Sequence, residues 1–333
     1  MKIEKWYKNN TFHYNQFDVK QLVKLKNKKN LTISLCFPTL NESQTIGFIL
    51  NTVKSDLYNT GLLDEVVVMD SESNDNTAYI ADSLGFKVYQ HKNILTNYGT
   101  YKGKGEGLWK SLFVLKGDII AWCDSDIKNF NARFIYGILG PLILNDNISF
   151  VKAFYRRPLR IDSSYLKGEG GRVTEILVRP LLNLFYNELS RIFQPLAGEY
   201  AARRELLEQI PFYTGYGVEI GLLIDVYENF GLEKIAQVNV IRRVHRNQPI
   251  STLSRMSFGI LQAFLEKLQQ YKKIMIIKEL NKIYNQIEYI RKEYFITPKR
   301  LEEKIRCPMI KIKEYNEKKL VLKRKAGEVS PIS

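Results

Sequence analysis

Two apolar, β-branched runs, each leaving through a polar exit into a helical pattern, constrain this chain more than anything else in it. Leu31 to Phe37 is the first, and it ends in Pro38-Thr39-Leu40-Asn41-Glu42. A helix follows through Thr45, Ile46, Ile49, Leu50 and Val53, with Asn41 or Ser43 as a plausible cap. Glu65 to Met69 repeats the unit, closing on the polar run 70–77 before a helix over 78–83, and Lys87-Val88-Tyr89 is a third, short strand. Repeated strand–loop–helix units predict a parallel, doubly wound sheet, where ligands bind outside the carboxyl ends of the strands.

The strand Ile119 to Cys123 gives that crevice its chemistry, because it ends in Asp124-Ser125-Asp126. Alternation along an extended strand puts the two carboxylates on one side. Such a pair suits a hard divalent cation held against a phosphate, since Mg²⁺ is usually bound by one or two carboxylates plus substrate phosphates. The plainer alternative is an Asp-Ser-Asp turn capping a strand.

Other stretches carry weaker signals. Lys102-Gly103-Lys104-Gly105-Glu106-Gly107 lacks P-loop spacing and reads as a basic loop open to an anion. Phe150 to Tyr155 is another strand, and Gly170-Gly171-Arg172-Val173-Thr174 opens a helix predicted over 173–193. Amides, dipole and guanidinium there favour an anion, against the ordinary reading of an N-cap with a solvated Arg172. Gln194 to Arg204 reads as a turn and a strand, 220–227 as a helix, and Ile235 to Ile241 as the last strand. That strand runs into Arg242-Arg243-Val244-His245-Arg246-Asn247, where a histidine among three arginines at a polar exit favours a functional role. From Ser251 the pattern is helical, and residues after about 271 read as exposed helices or a dimer arm.

The formal net charge of +15 invites a nucleic-acid reading, so its location matters. Residues 1–30 carry a net +6 and residues 271–333 a net +9, which leaves 31–270 neutral. No nucleic-acid-binding signature accompanies the tails, which excludes nucleic acid as the expected partner and favours solvated lysines, with attraction to anionic surfaces second. No apolar run approaches a membrane span or a signal peptide, and three cysteines (Cys36, Cys123, Cys307) lack metal-ligand spacing. Buried reduced thiols in a cytoplasmic protein are the expectation.

Seven motifs in order resemble the retaining glucosyl-3-phosphoglycerate synthases, between about Leu31 and Met256. They are Pro-Thr-Leu-Asn-Glu at 38–42, Gly-Lys-Gly-Glu-Gly at 103–107, Asp-Ser-Asp at 124–126 and Gly-Gly-Arg-Val-Thr-Glu at 170–175. Gln-Pro-Leu-Ala-Gly-Glu-Tyr at 194–200, Gly-Tyr-Gly-Val-Glu-Ile-Gly at 215–221 and Arg-Val-His-Arg-Asn-Gln-Pro at 243–249 complete the set. The family often has Ala where this chain has Thr39 and Gly107.

The resemblance implies an α/β, GT-A (Rossmann-like) nucleotide-sugar-binding sheet flanked by helices. It divides the chain into an arm (1–30), a transferase domain (31–256, donor half to about 130, acceptor half beyond) and a helical basic extension (257–333). It implies donor contacts from Pro38, Leu40, Glu42, Ser71, Lys104, Asp124, Ser125, Tyr216, Glu219 and Arg243. Lys104, Asp124, Asp126 and Glu219 would carry the catalytic work, and Asp126 with His245 would hold Mg²⁺ or Mn²⁺ on the diphosphate. Gly171, Arg172, Thr174 and Asn247 would receive 3-phosphoglycerate, and the enzyme would be a homodimer. A GDP-mannose donor, a lipid-phosphate acceptor and a binding protein with a decayed site remain as alternatives.

Overall fold

The computed structural model describes residues 2–157, 159–161, 164–166, 171–244 and 248–325. The first half runs α1 (Lys2–Asn10), β1 (Thr11–His13), α2 (Val19–Lys28), β2 (Ile33–Thr39), α3 (Ile46–Val53), β3 (Glu65–Asp70), α4 (Thr77–Ser83), β4 (Lys87–Gln90), α5 (Lys104–Val114) and β5 (Ile119–Trp122). Then come α6 (Arg133–Leu144), β6 (Phe150–Arg156), β7 (Leu159–Ile161), β8 (Ser164–Leu166), α7 (Arg179–Phe185), β9 (Tyr200–Arg203), α8 (Arg204–Leu207), β10 (Phe212–Tyr213), α9 (Val218–Phe230) and β11 (Ile235–Arg242). Last are α10 (Ile250–Gln270), β12 (Ile283–Ile290), β13 (Glu293–Arg300), β14 (Ile305–Arg306) and α11 (Lys313–Lys325).

Eight strands form one sheet in the order β1-β11-β6-β9-β5-β2-β3-β4. All pairings are parallel except those of β9, which lies antiparallel between β5 and β6. Strand β5 shows why the sheet is covered on both faces. Ile119 and Ala121 join the core with α2, α3, α4 and α6, while Ile120 and Trp122 join the core with α5, α9 and α10. Period-two alternation of apolar side chains gives each residue to the opposite face. Trp122 is fully buried, and truncating such a side chain to Ala typically costs about 3–5 kcal/mol. Helix α9 buries nine residues from Val218 to Val226 and stops where Gly231 takes a φ of 89°, the left-handed turn that suits glycine.

The sheet places the site. Strands β2, β3, β5, β6 and β11 all run the same way, so Thr39, Asp70, Trp122, Arg156 and Arg242 end at one edge. The antiparallel β9 begins at that edge, so Glu199 and Gly198, which precede it, arrive there too.

Several expectations need correcting. The N-terminal 30 residues are two helices, with Thr11–His13 pairing parallel to β11 as the sheet's edge. Two of the segment's aromatics, Trp6 and Phe17, are buried and tie it to the core. Neither Asn41 nor Ser43 caps α3, which begins after Thr45; Asn41 adopts a left-handed φ of 58°. The stretch 103–107 is no loop but opens α5, and Gly105 to Gly107 are buried. The helix expected to Phe193 breaks at Tyr186, where the Tyr186 ring packs edge-on against Phe264, 5.9 Å away. Among the described residues beyond 271 there is a hairpin, β12 with β13, besides a 3-10 turn at Met309–Lys311 and α11, so the extension is not an all-helical one. Its β-branched and aromatic residues decide for strand, and Arg291 and Lys292, both at positive φ, make the turn. The expected boundary at 256 falls inside α10. Cys36 and Cys123 are buried as expected, but Cys307 is exposed.

Candidate active site

Two loops build one wall of the crevice. The loop after β2 and the loop after β3 are laced together: Asn41 N donates to Ser73 Oγ (2.9 Å), Asn74 N to Asn41 Oδ1 (2.8 Å) and Ser43 N to Asp75 Oδ2 (3.1 Å). Buried Asp70 accepts from Thr39, Ser73 and Gln90 and so anchors the strand ends. Ser71 N donates to Thr39 O at 2.9 Å. The Asp-Ser-Asp segment is tied to the same wall, with Ser125 Oγ donating to Pro38 O (2.7 Å) and Thr45 Oγ1 to Ser125 O (2.6 Å). Between them lies a polar cavity of about 280 Å³, bordered by Asn41, Glu42, Thr45, Asp75, Asp126 and Lys128.

Beside the cavity is an ionic network. Lys104 Nζ bridges Asp124 Oδ1 (2.5 Å) and Glu219 Oε1 (2.7 Å). Arg243 lies beneath and bonds Asp124 (3.0 Å), Asp126 (2.5 Å) and Glu199 (3.2 Å). Tyr155 accepts from Arg243 (3.0 Å) and donates to Glu199 (2.5 Å). A Cβ at Gly198 would run into the Asp124 carboxylate, so glycine there lets the carboxylate sit between its two cations.

The network sets the charge states. Burial opposes ionisation of Asp124, but Lys104 and Arg243 outweigh it and hold the carboxyl below its ordinary value. Burial likewise opposes the Lys104 ammonium, which Asp124 and Glu219 hold well above its ordinary value. Glu199 is pushed up by burial despite Arg243. Lys152 is wholly buried, donates to Ala197 O (2.9 Å) and lies 4.4 Å from the Tyr200 ring centre; burial pushes it down to about 7.

The expected site residues therefore divide. Lys104, Asp124, Asp126, Glu219 and Arg243 meet directly, and Pro38, Ser125 and Glu42 adjoin them. Arg243, expected among the donor contacts, is 3% exposed and commits its guanidinium to the carboxylates. Leu40 and Tyr216 are exposed at the rim. Gly171 takes a left-handed φ of 86°, Thr174 is buried, and Arg172 donates to Gln248 O at 2.8 Å. His245 and Asn247 lie outside the described residues, but both ends of their segment are placed. Val244 is bonded to Lys128 (2.9 Å) and Asn129 (2.6 Å), just beyond Asp126, and Gln248 is bonded to Arg172. Four residue steps span at most about 14 Å, so the Lys128–Asn129 stretch and Arg172 anchor the two ends of one short segment. The sequence reading missed Glu199, Tyr155, Lys152 and Gly198; the quoted motif at 194–200 contained two of them, without indicating that β9 inserts beside β5.

The donor set fits a hard divalent cation. Among the described residues no three His, Cys, Asp or Glu side chains form a metal cage, but Asp126 puts a carboxylate, 27% exposed, on the cavity wall. One carboxylate beside room for phosphates is how Mg²⁺ is commonly held.

A polar crevice at parallel strand ends, an Asp-x-Asp whose second carboxylate lies on its wall and a lysine–carboxylate network beside it are the features of a GT-A glycosyltransferase. Comparison with known proteins gives the class its particulars. The Glycosyl transferase family 2 profile matches residues 34–167. The glucosyl-3-phosphoglycerate synthase of Petrotoga mobilis is 49% identical over 310 residues, 92% of this chain and 95% of that one. The chain belongs to the glucosyl-3-phosphoglycerate synthase family. Mannosyl-3-phosphoglycerate synthase from Rubrobacter xylanophilus has a similar structure, with a TM-score of 0.86 and 35% identity over 93% of this chain and 99% of that chain. Glucosyl-3-phosphoglycerate synthase from Mycobacterium tuberculosis, solved with Mn²⁺, UDP and glucosyl-3-phosphoglycerate, gives 0.79 and 37% over 90% and 98%. The same mycobacterial enzyme has been solved with Mn²⁺, UDP-glucose and phosphoglyceric acid, and with Mg²⁺ and UDP.

Proposed function

We propose that the protein transfers glucose from UDP-glucose to the 2-hydroxyl of 3-phosphoglycerate with retention at the anomeric carbon. The products are UDP and glucosyl-3-phosphoglycerate, precursor of the compatible solute glucosylglycerate. One observation carries the reading: Lys104 bridges Asp124 and Glu219 in a network whose Asp126 lines a polar cavity, in a chain nearly half identical to a glucosyl-3-phosphoglycerate synthase.

Pro38, Leu40, Glu42 and Ser71 hold the uridine, with Ser125 and Tyr216 completing the donor pocket. Asp126 with His245 holds Mg²⁺ or Mn²⁺, which supplies Lewis-acid stabilisation to a departing diphosphate. Asp124 lies by the ribose or sugar, and Glu219 accepts hydrogen bonds from glucose hydroxyls, its charge balanced by Lys104. Both carboxylates are already ion-paired, which weakens them as nucleophiles and favours attack by the acceptor on the face the diphosphate leaves. The bond from the anomeric carbon to the diphosphate oxygen breaks as the bond to the acceptor oxygen forms. The hydroxyl proton passes to the departing phosphate oxygen.

Gly171, Arg172, Thr174 and Asn247 receive the acceptor, a trianion for which a planar guanidinium is the matched partner. Arg172→Ala removes a charge-assisted contact worth roughly 1.5–3 kcal/mol. The KM for 3-phosphoglycerate should rise about tenfold to a hundredfold, with Arg172→Lys between, while UDP binding by calorimetry stays as in the wild type. Weaker UDP binding with an unchanged acceptor KM would reverse the assignment.

A homodimer in the cytoplasm completes the reading. Free thiols at Cys36, Cys123 and Cys307 support a reducing compartment, and the apolar outer face of the β12–β13 hairpin supports self-association. Similarity to the mannosyl-3-phosphoglycerate synthase favours one second reading, a GDP-mannose donor in the same site.

A further inference from the structure

Two turns carry the bridging ion pairs. The turn 103–106 opens α5 and bears Lys104, and the turn 214–217 opens α9 and leads to Glu219. They press backbone on backbone: Glu106 N donates to Thr214 O at 2.9 Å, and a Cβ on Gly105 would strike the carbonyl of Tyr213. Any slip between the turns therefore separates Lys104 from Glu219.

A segment nearly 200 residues from Lys104 locks both turns from outside. Strand β14 pairs antiparallel with β10, and Thr214 N donates to Lys304 O at 2.8 Å. Arg306 grips Glu106 as a fork, Nε on Oε2 (2.8 Å) and an NH2 on Oε1 (2.6 Å), and also bonds the carbonyls of Tyr98 (2.7 Å) and Gly99 (3.1 Å). The Glu106 side chain is fully buried and Arg306 is 7% exposed, so the pair is shielded from water. Glu303 grips the other turn: its carboxylate accepts from Gly215 N at 2.9 Å. The space for that carboxylate is built: a Cβ on Gly215, or on Gly259 of α10, would collide with it.

We propose that Glu303 and Arg306 are positioning residues for glycosyl transfer, holding the Lys104 turn and the Glu219 turn in register. The proposal rests on the donor-side roles given above to Lys104 and Glu219. Misplacing a catalytic group by about 1 Å can cost on the order of a hundredfold in rate. A clamp of this kind acts on kcat and leaves acceptor binding alone, because the acceptor contacts come from Gly171, Arg172 and Thr174, whereas Tyr216 of the donor pocket rides on the clamped turn.

The test uses the full chain with UDP-glucose, Mg²⁺ and 3-phosphoglycerate. Glu303→Ala should lower kcat about tenfold to a hundredfold, with the 3-phosphoglycerate KM within about twofold of wild type. Glu303→Gln, which keeps an acceptor oxygen for the amides, should recover most of the loss. Removing Arg306 alone would leave Glu106 with Lys110 Nζ, 3.4 Å away, as its one remaining buried cation, so Arg306→Met should lower kcat in the same way as Glu303→Ala, and a wild-type kcat there overturns the Arg306 half of the clamp. Hydrogen exchange then reads the clamp whatever the substrate: Glu303→Ala should speed exchange at 214–217 and at 103–106, and leave β2 and β3 protected. Wild-type kcat in Glu303→Ala, or unchanged exchange at 103–106, overturns the clamp. A wild-type enzyme inactive with these substrates would sink the substrate reading instead, and the exchange pattern would still decide the clamp.

Discussion

Lys152 is the most unusual single residue in the fold. It stands wholly buried in β6 and, with Tyr200, Glu219, Lys104, Glu199 and Asp124 around it, is pushed down from 10.5 to about 7 by burial. Above about pH 7 the folded protein releases a proton that the unfolded chain keeps until near 10.5. The unfolded state thus binds more protons across that window, and stability rises with pH there. Lys152→Met should flatten the rise and should stabilise the protein most near pH 6, where the wild type buries a charge. Urea midpoints at pH 6, 7.5 and 9 measure this; equal slopes in both proteins would contradict it. Residue-scale chemistry was partly legible in the sequence. Asp124 and Asp126 were legible as a pair on one side of a strand exit, although a turn capping the strand reads the same way locally. Lys152 and Glu199 did not, since a lysine or glutamate inside an apolar run gives no sign of what it faces until the strands are paired.

At the scale of elements, runs with strong periodicity were readable and their partners were not. Strands β2, β3 and β6 follow from β-branched apolar runs, but nothing local marks β9 as antiparallel, because its neighbours β5 and β6 lie about 80 and 50 residues upstream. Glycine misled at 103–107: it usually signals a loop, yet here Gly103 and Gly105 admit the main chain of Tyr213 and Thr214 at the start of α5. Lysines misled in the tail, where the hairpin alternates exposed apolar residues with polar ones. Ile287 and Ile296 face each other across it and are each 69% exposed. If that face joins two copies, Ile287→Glu with Ile296→Glu places like charges in the contact and should give a monomer by sedimentation equilibrium. A dimer that survives both charges would move the interface off the hairpin.

The whole molecule works by bringing distant stretches to one sheet edge. Cavity walls come from the loops after β2 and β3, the carboxylates from β5, and the bracing arginine from the end of β11. Among the described residues no helix is long and apolar enough to cross a membrane, and the net positive charge belongs to the two ends of the chain. The central claim is that this edge moves glucose from UDP onto 3-phosphoglycerate with the help of a divalent cation and with retention. The most direct measurement is nucleoside diphosphate release from a panel of UDP-, ADP- and GDP-sugars, with and without 3-phosphoglycerate and with EDTA, followed by NMR of the product's anomeric centre. UDP-glucose should be consumed only with both acceptor and metal present, and the product should be the α-anomer. Metal removal, or Asp126→Ala, should lower the rate on the order of a thousandfold or more. Full activity in EDTA, turnover of GDP-mannose alone, or a β-linked product would each contradict the account.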